Sequence, residues 1–244
     1  MKFTPFAFCL LGLIAAVPAQ AQNIDVEDIV AGHIEAIGGR AALDAVRTAR
    51  ITARLEVEGE SASIVASAKR PSKFHFAFTA GDLKSVRAYD GRRGWATNPS
   101  GKAEYVSGEF LASLKDSDFS SAALSTYLDN YEIKGDTLEF VGFTEVDLIE
   151  TFHLRLGRKN GDIIDLSIDT ETFLVLLEEK RSGPGQPVIE TAYASDYRSV
   201  DNIVLPFLIQ QTSKNDPPIT ITITKVEFNV PLDDSLFSLP GSGG

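Results

Sequence analysis

Between Glu150 and Arg181 the sequence alternates in a way that a sheet satisfies and a helix does not. Phe152, Leu154 and Leu156 interleave with Thr151, His153 and Arg155, the period-two pattern of a strand with one buried face. Asn160-Gly161 follows, a dipeptide that accepts positive φ at both central turn positions, so a tight hairpin is expected there. Ile164, Leu166 and Ile168 alternate again across 162–169, residues 169–171 make a polar break, and Phe173 to Leu177 is apolar throughout, as a central strand would be. Three antiparallel strands in series make the middle of the chain a meander whose apolar face must be covered.

The flanking segments read as further strands of that meander or as helices lying on it. Val26, Ile29, Val30, His33, Ile34 and Ile37 fall at helical spacing, with Asn23 or Asp25 available as cap and Gly38-Gly39 as stop; a short helix over 41–46 is expected next. From Ile51 the period changes to two. Phe74, Phe76 and Phe78 line up on one face of a strand, and a glycine-bearing turn from Tyr89 to Gly94 delivers Trp95, the single tryptophan. Residues 108–130 return to helical spacing as two short helices interrupted at Asp116-Ser117-Asp118. Later strands close the count, the last alternating Ile219, Ile221 and Ile223 with Thr220, Thr222 and Thr224. The pattern predicts a mainly β protein with a few helices, built on a single antiparallel sheet of about eleven strands.

The N-terminus has a different character. Lys2, an apolar run from Phe6 to Val17 and the small-residue site Ala19-Gln20-Ala21 are the parts of a secretory signal peptide, expected to be 1–21. One domain is expected over 22–240, followed by a loose tail at 241–244. The one cysteine, Cys9, lies inside the leader, so the exported chain carries neither disulfides nor thiolate chemistry. A formal net charge of −11 disfavours nucleic acid and anionic membrane surfaces as partners. An exported, acidic, monomeric protein of the periplasm is expected.

Motifs of catalysis are missing. His33, His75 and His153 lie on three separate elements without a His-Glu-x-x-His pair, so a zinc site would need distant residues to converge. No Gly-x-Ser-x-Gly elbow, phosphate-cradling glycine loop or dinucleotide fingerprint occurs. Asp162, Asp165 and Asp169 lack the spacing, glycine and distal Glu of a calcium loop and read instead as the solvent edge of a hairpin. The expectation is a non-enzyme without metal or cofactor.

What the sequence has in excess is apolar surface. A sheet this wide exposes more of it on one face than a few short helices cover, and the remainder is either packed core or a seat for a ligand. The candidate lining is Phe74, Phe76, Phe78, Trp95, Phe152, Leu154 and Leu156. An acyl guest has a physical reason to need such a seat, since each methylene withdrawn from water contributes about 0.8 kcal/mol.

Several blocks carry a resemblance: the helix end Ala36-Ile37-Gly38-Gly39; Ala88-Tyr89-Asp90-Gly91-Arg92-Arg93-Gly94-Trp95; Glu171-Thr172-Phe173-Leu174 with Glu178-Glu179-Lys180-Arg181; Tyr197-Arg198-Ser199-Val200-Asp201 leading to Leu205-Pro206-Phe207; and the close Lys225-Val226-Glu227-Phe228-Asn229 with Pro231-Leu232-Asp233-Asp234-Ser235-Leu236-Phe237. In this order they resemble the LolA-like superfamily of outer-membrane lipoprotein-sorting and lipid-carrier proteins. The resemblance implies an open half-barrel whose concave face is covered by helices, with a cavity for acyl chains between them. It also implies energy-free carriage of lipid or lipoprotein acyl chains between membrane-bound donor and acceptor proteins. For the family's gate-closing arginine, Arg47, Arg50 and Arg54 are candidates by location. Relatives of the same fold bind other lipids or contact membrane-bound regulators, so an envelope protein-binding sensor without lipid cargo is the alternative.

Overall fold

The computed structural model describes residues 24–116 and 127–241. The expected leader, most of the second helix expected after Asp116, and three of the four residues of the expected tail lie outside the described residues.

Thirteen strands form one sheet: β1 (Thr48–Val57), β2 (Glu60–Lys69), β3 (Lys73–Ala80), β4 (Leu83–Tyr89), β5 (Gly94–Thr97), β6 (Ala103–Tyr105), β7 (Thr137–Val146), β8 (Ile149–Gly157), β9 (Ile163–Asp169), β10 (Val175–Arg181), β11 (Val188–Val200), β12 (Ile203–Ser213) and β13 (Ile219–Phe228). The spatial order runs β6 down to β1, then β13 down to β7, so every neighbour is also a chain neighbour except β1 against β13. That one pairing joins two meanders. The edges β6 and β7 do not pair with each other, and the curled sheet is an open half-barrel. The count exceeds the expected number of about eleven because the chain around Trp95 forms a strand of its own, and the short strand expected near 103–106 pairs with it as β6.

Among the described residues four helices accompany the sheet: α1 (Val26–Ala36), α2 (Gly39–Ala45), α3 (Gly108–Asp116) and α4 (Tyr131–Lys134), with a 3-10 turn at Asp234–Phe237. The Asp25 carboxylate caps α1 by accepting from the Glu27 N–H at 3.1 Å, and Glu27 and Asp28 complement the helix dipole. Ile29, Val30, His33 and Ile34 form the buried stripe of α1. One core cluster joins that stripe to Leu154, Leu166 and Ile168 from β8 and β9 and to Ile203, Leu205 and Phe228 from β12 and β13. Because a single helix touches both meanders, the face it lies on is the concave one. Leu154, Leu156, Leu166 and Ile168 are almost wholly buried, and each contributes about 1.5–3 kcal/mol by leaving water.

Two turns differ from the sequence reading. At Asn160-Gly161 only Gly161 takes positive φ, at 96°. Its N–H donates to the Arg158 carbonyl at 2.9 Å and the Arg158 N–H donates to Asp162 at 2.8 Å, so the hairpin closes with one extra residue in a glycine bulge rather than a two-residue turn. Phe173 does not begin a strand. It lies at φ 58° in the turn before β10, held there because the Asp169 carboxylate accepts from the Glu171 N–H and the Thr172 hydroxyl, each at 2.8 Å.

Candidate functional site

Residues paired across neighbouring strands point to the same side of a sheet, so the register alone defines the concave face. Phe74 pairs with Ala68, and Ala68 with Ala49. Along β1 the same side carries Leu55, which pairs with Ile221, and Ile221 pairs with Ile209. Beyond it come Ala194, Ala192, Glu178, Leu166 and Leu154 in turn. Phe74, Phe76 and Phe78 on β3 and Phe152, Leu154 and Leu156 on β8 therefore face one continuous apolar trough from opposite ends.

Trp95 does not join them. It pairs with Ala88, which pairs with His75, and this places it on the convex side. There its indole N–H donates to the Phe237 carbonyl at 2.9 Å under the 3-10 turn, and its ring meets His75 edge-on at 6.3 Å. Trp95 is a structural clasp for the C-terminal segment, and the sequence could not separate the faces because the glycine turn before it hides the register. Arg50 and Arg54 likewise stand on the convex side, opposite Ser67 and Ser63, and Arg54 is ion-paired with Glu56 at 3.3 Å. Neither can gate the trough.

The trough is covered beside β8 by α1 and beside β5 by α3, whose Leu111 and Leu114 lie against Gly94 on the side of Tyr89 and Phe74, and it is half-open between them. Under α1, Leu154 and Leu156 are fully covered, whereas Leu55, Phe76, Phe78, Ile209 and Ile221 remain half-buried. Two hollows occupy it. The larger, about 610 Å³, lies between the start of α1 and the β7–β8 edge and is lined by Ile24, Ile29, Phe143, Phe152 and Phe173 with Asp28 and Glu150 among its polar residues. The Phe152 ring lies 5.7 Å from Phe173 and 5.6 Å from Phe143. Phe173 is fixed from behind, because its carbonyl is bonded to His33 Nδ1 at 2.9 Å. The smaller hollow, about 190 Å³, lies over β10 to β13, where Ile37, Val175, Ile209 and Ile221 surround Glu178, Glu190 and Tyr197.

Glu178, which the sequence marks only as part of the Glu178-Glu179-Lys180-Arg181 block, is not among the expected lining residues. It pairs with Leu166 on one side and Ala192 on the other, a carboxyl set in an apolar surface. Burial, reinforced by the charge of Glu190, pushes its pKa up to about 7, against the opposing pull of the Tyr127 hydroxyl that donates to it and of Lys180 and Arg158. Burial and the Glu178 charge push the Tyr127 and Tyr197 hydroxyls well above the usual phenol range, so both stay protonated donors.

The aspartates read as a solvent edge are also corrected. Asp165 is 4 % exposed on the convex face, where Arg155 Nε reaches it at 2.8 Å, His153 Nε2 at 3.2 Å, and Arg181 pairs with it as well. Cross-strand pairing stacks these charges, and one-dimensional spacing does not reveal it. Among the described residues no cluster of three His, Cys, Asp or Glu side chains could hold a metal ion, and no helix is long and apolar enough to cross a membrane.

No protein-family profile matches the sequence, and no curated protein matches it. Solved structures do. An outer membrane lipoprotein-sorting protein domain from Vibrio parahaemolyticus superposes with a TM-score of 0.61 at 10 % identity, covering 87 % of this chain and 97 % of that one. A LolA superfamily protein from Nitrosomonas europaea gives 0.60 at 12 % identity over 88 % and 98 %. A DUF1329 family protein from Desulfovibrio piger gives 0.60 at 12 % over 87 % and 97 %. The matches extend over nearly the whole of each partner: the chain has the LolA-like fold.

Proposed function

We propose that this protein is a periplasmic carrier that holds lipid or lipoprotein acyl chains non-covalently between sheet and helices, exchanging them with membrane-bound donor and acceptor proteins. The observation that carries the reading is the unfinished trough: an apolar face running from β3 to β8 that the helices leave half-exposed along Phe76, Phe78, Leu55, Ile221 and Ile209. A guest chain would complete that face at about 0.8 kcal/mol per buried methylene. Phe76 and Phe78, half-buried in the open stretch, would touch the guest, and Phe152 would meet it at the larger hollow. Phe74, Leu154 and Leu156 would form the floor. The likeness to a lipoprotein-sorting domain supports the same reading. No step of it requires catalysis.

The test is native mass spectrometry and solvent extraction of protein purified from the periplasm of a producing cell. Bound amphiphile is the expected result. Protein that is consistently empty and fails to bind a neutral fluorescent long-chain probe overturns the reading. One observation favours a second function, that of an envelope regulator that binds another protein. Val141, Phe143, Leu148 and Ile149 are exposed apolar residues at the β7–β8 edge, and among the described residues β7 has no strand on its outer side. Capture of a membrane protein by crosslinking, with the trough free of lipid, would establish that function in place of carriage.

A further inference from the structure

Carboxylates, not cations, face both hollows. Glu178 and Glu190 lie in the smaller one and Asp28 and Glu150 in the larger, and no lysine or arginine lines either among the described residues. The two cations that act on Glu178 are already engaged: Lys180 Nζ with Asp162 at 3.0 Å, and Arg158 Nε with Asp136 at 2.9 Å. The two tyrosine protons are spent as well, Tyr127 donating to Glu178 and Tyr197 to the Val175 carbonyl. What remains in the small hollow is acceptor capacity bordered by Ile209 and Ile221, with Lys180, the cross-strand partner of Glu190, drawn off to Asp162.

We propose that the hollow over β10 to β13 takes an amphiphile whose polar end is a protonated primary amine, seated between Glu178 and Glu190 with its alkyl chain along Ile209 and Ile221. The inference rests on the carrier reading and narrows it to a headgroup class. Glu178 pairs with Ala192, two residues along β11 from Glu190, and lies diagonal to it across the strands, within reach of one small cation. An ammonium group there favours the ionised Glu178 carboxyl, which burial holds partly protonated near neutral pH, so uptake releases protons. A carboxylate or phosphate head would instead meet two acids and no free cation.

The experiment is competition against a neutral fluorescent long-chain probe by decylamine, decanol and decanoate, which share one tail. At about pH 8 decylamine should displace the probe at a concentration roughly tenfold or more below decanol, the scale of one hydrogen-bonded charge pair, and decanoate should be weakest. Glu178→Gln and Glu190→Gln should each remove most of that advantage, with a cooperative thermal melt showing that the variants are folded. Lowering the pH to about 5.5, below the Glu178 pKa of about 7, should shrink the advantage. Equal competition by amine and alcohol, a preference for decanoate, or an amine advantage that survives both substitutions overturns the proposal and leaves the carrier reading intact. Failure of the neutral probe and of all three competitors to bind overturns both.

Discussion

Gly32, in the middle of α1, marks where the wall of the larger hollow needs a missing methyl group. A Cβ built there would meet the Phe173 ring, lying 2.5 Å from Cε1 and 3.0 Å from Cγ as well as against Cδ1. Two effects of Gly32→Ala therefore oppose each other. Alanine in a helix interior gains about 1 kcal/mol over glycine, while overpacking costs typically about 1–3 kcal/mol. The ring cannot retreat with its backbone, since the Phe173 carbonyl is bonded to His33 and the residue sits at positive φ in a turn closed by Asp169. The clash should prevail. Gly32→Ala is expected to destabilise by up to about 2 kcal/mol, lowering Tm by up to about 8 °C for a chain of this size. In a Phe173→Ala background the clash is gone and only propensity is left, so the same substitution should stabilise by up to about 1 kcal/mol. Thermal melts of the four proteins in the cycle give the coupling, expected at about 1–3 kcal/mol. A rise in Tm on Gly32→Ala in the wild type, or no change of sign in the Phe173→Ala background, would refute the placement of this ring on the helix.

Three further outcomes separate the parts of the structure. Asp165→Asn should cost about 2–3 kcal/mol in urea unfolding by leaving Arg155, Arg181 and His153 without their shared carboxylate, somewhat under the range for a fully buried pair because Arg155 is 41 % exposed; a loss under about 0.5 kcal/mol contradicts the cluster. Burial holds His33 below its ordinary pKa despite the bond to the Phe173 carbonyl, so between that lowered value and about 6.5 the unfolded chain binds a proton that the folded one does not. Stability then falls with pH below about 6.5, by up to about 1.4 kcal/mol per unit, and the gap between wild type and His33→Gln should narrow from pH 7.5 to pH 5.5. The difference measurement cancels Glu178, whose raised pKa acts in the opposite sense; a constant gap would show that His33 does not titrate against folding. Phe76→Ser, in the open stretch of the trough, should weaken neutral-probe binding about tenfold with little loss of stability. Leu154→Ala should do the reverse, costing about 2–5 kcal/mol while the folded fraction binds as before. Equal effects of the two on binding would disprove the division into floor and open stretch.

Sequence alone determined the elements. Alternation of Phe152, Leu154 and Leu156, the helical spacing of Ile29, His33 and Ile34, and the switch to period two after Val46 are local patterns, and each element formed where its period said, because burial of one side of a strand or helix is imposed residue by residue. Tertiary structure alone decided everything that depends on register. Two neighbouring positions on one strand face opposite directions, so a shift of one residue sends a side chain from trough to exterior. Such a parity keeps Trp95 out of the site, gathers Asp165 with Arg155, Arg181 and His153 on the convex face, and sets Glu178 among aliphatic side chains. Register is fixed by partners tens to hundreds of residues away, as when Ala49 on β1 finds Phe228 on β13, and no window along the chain contains both.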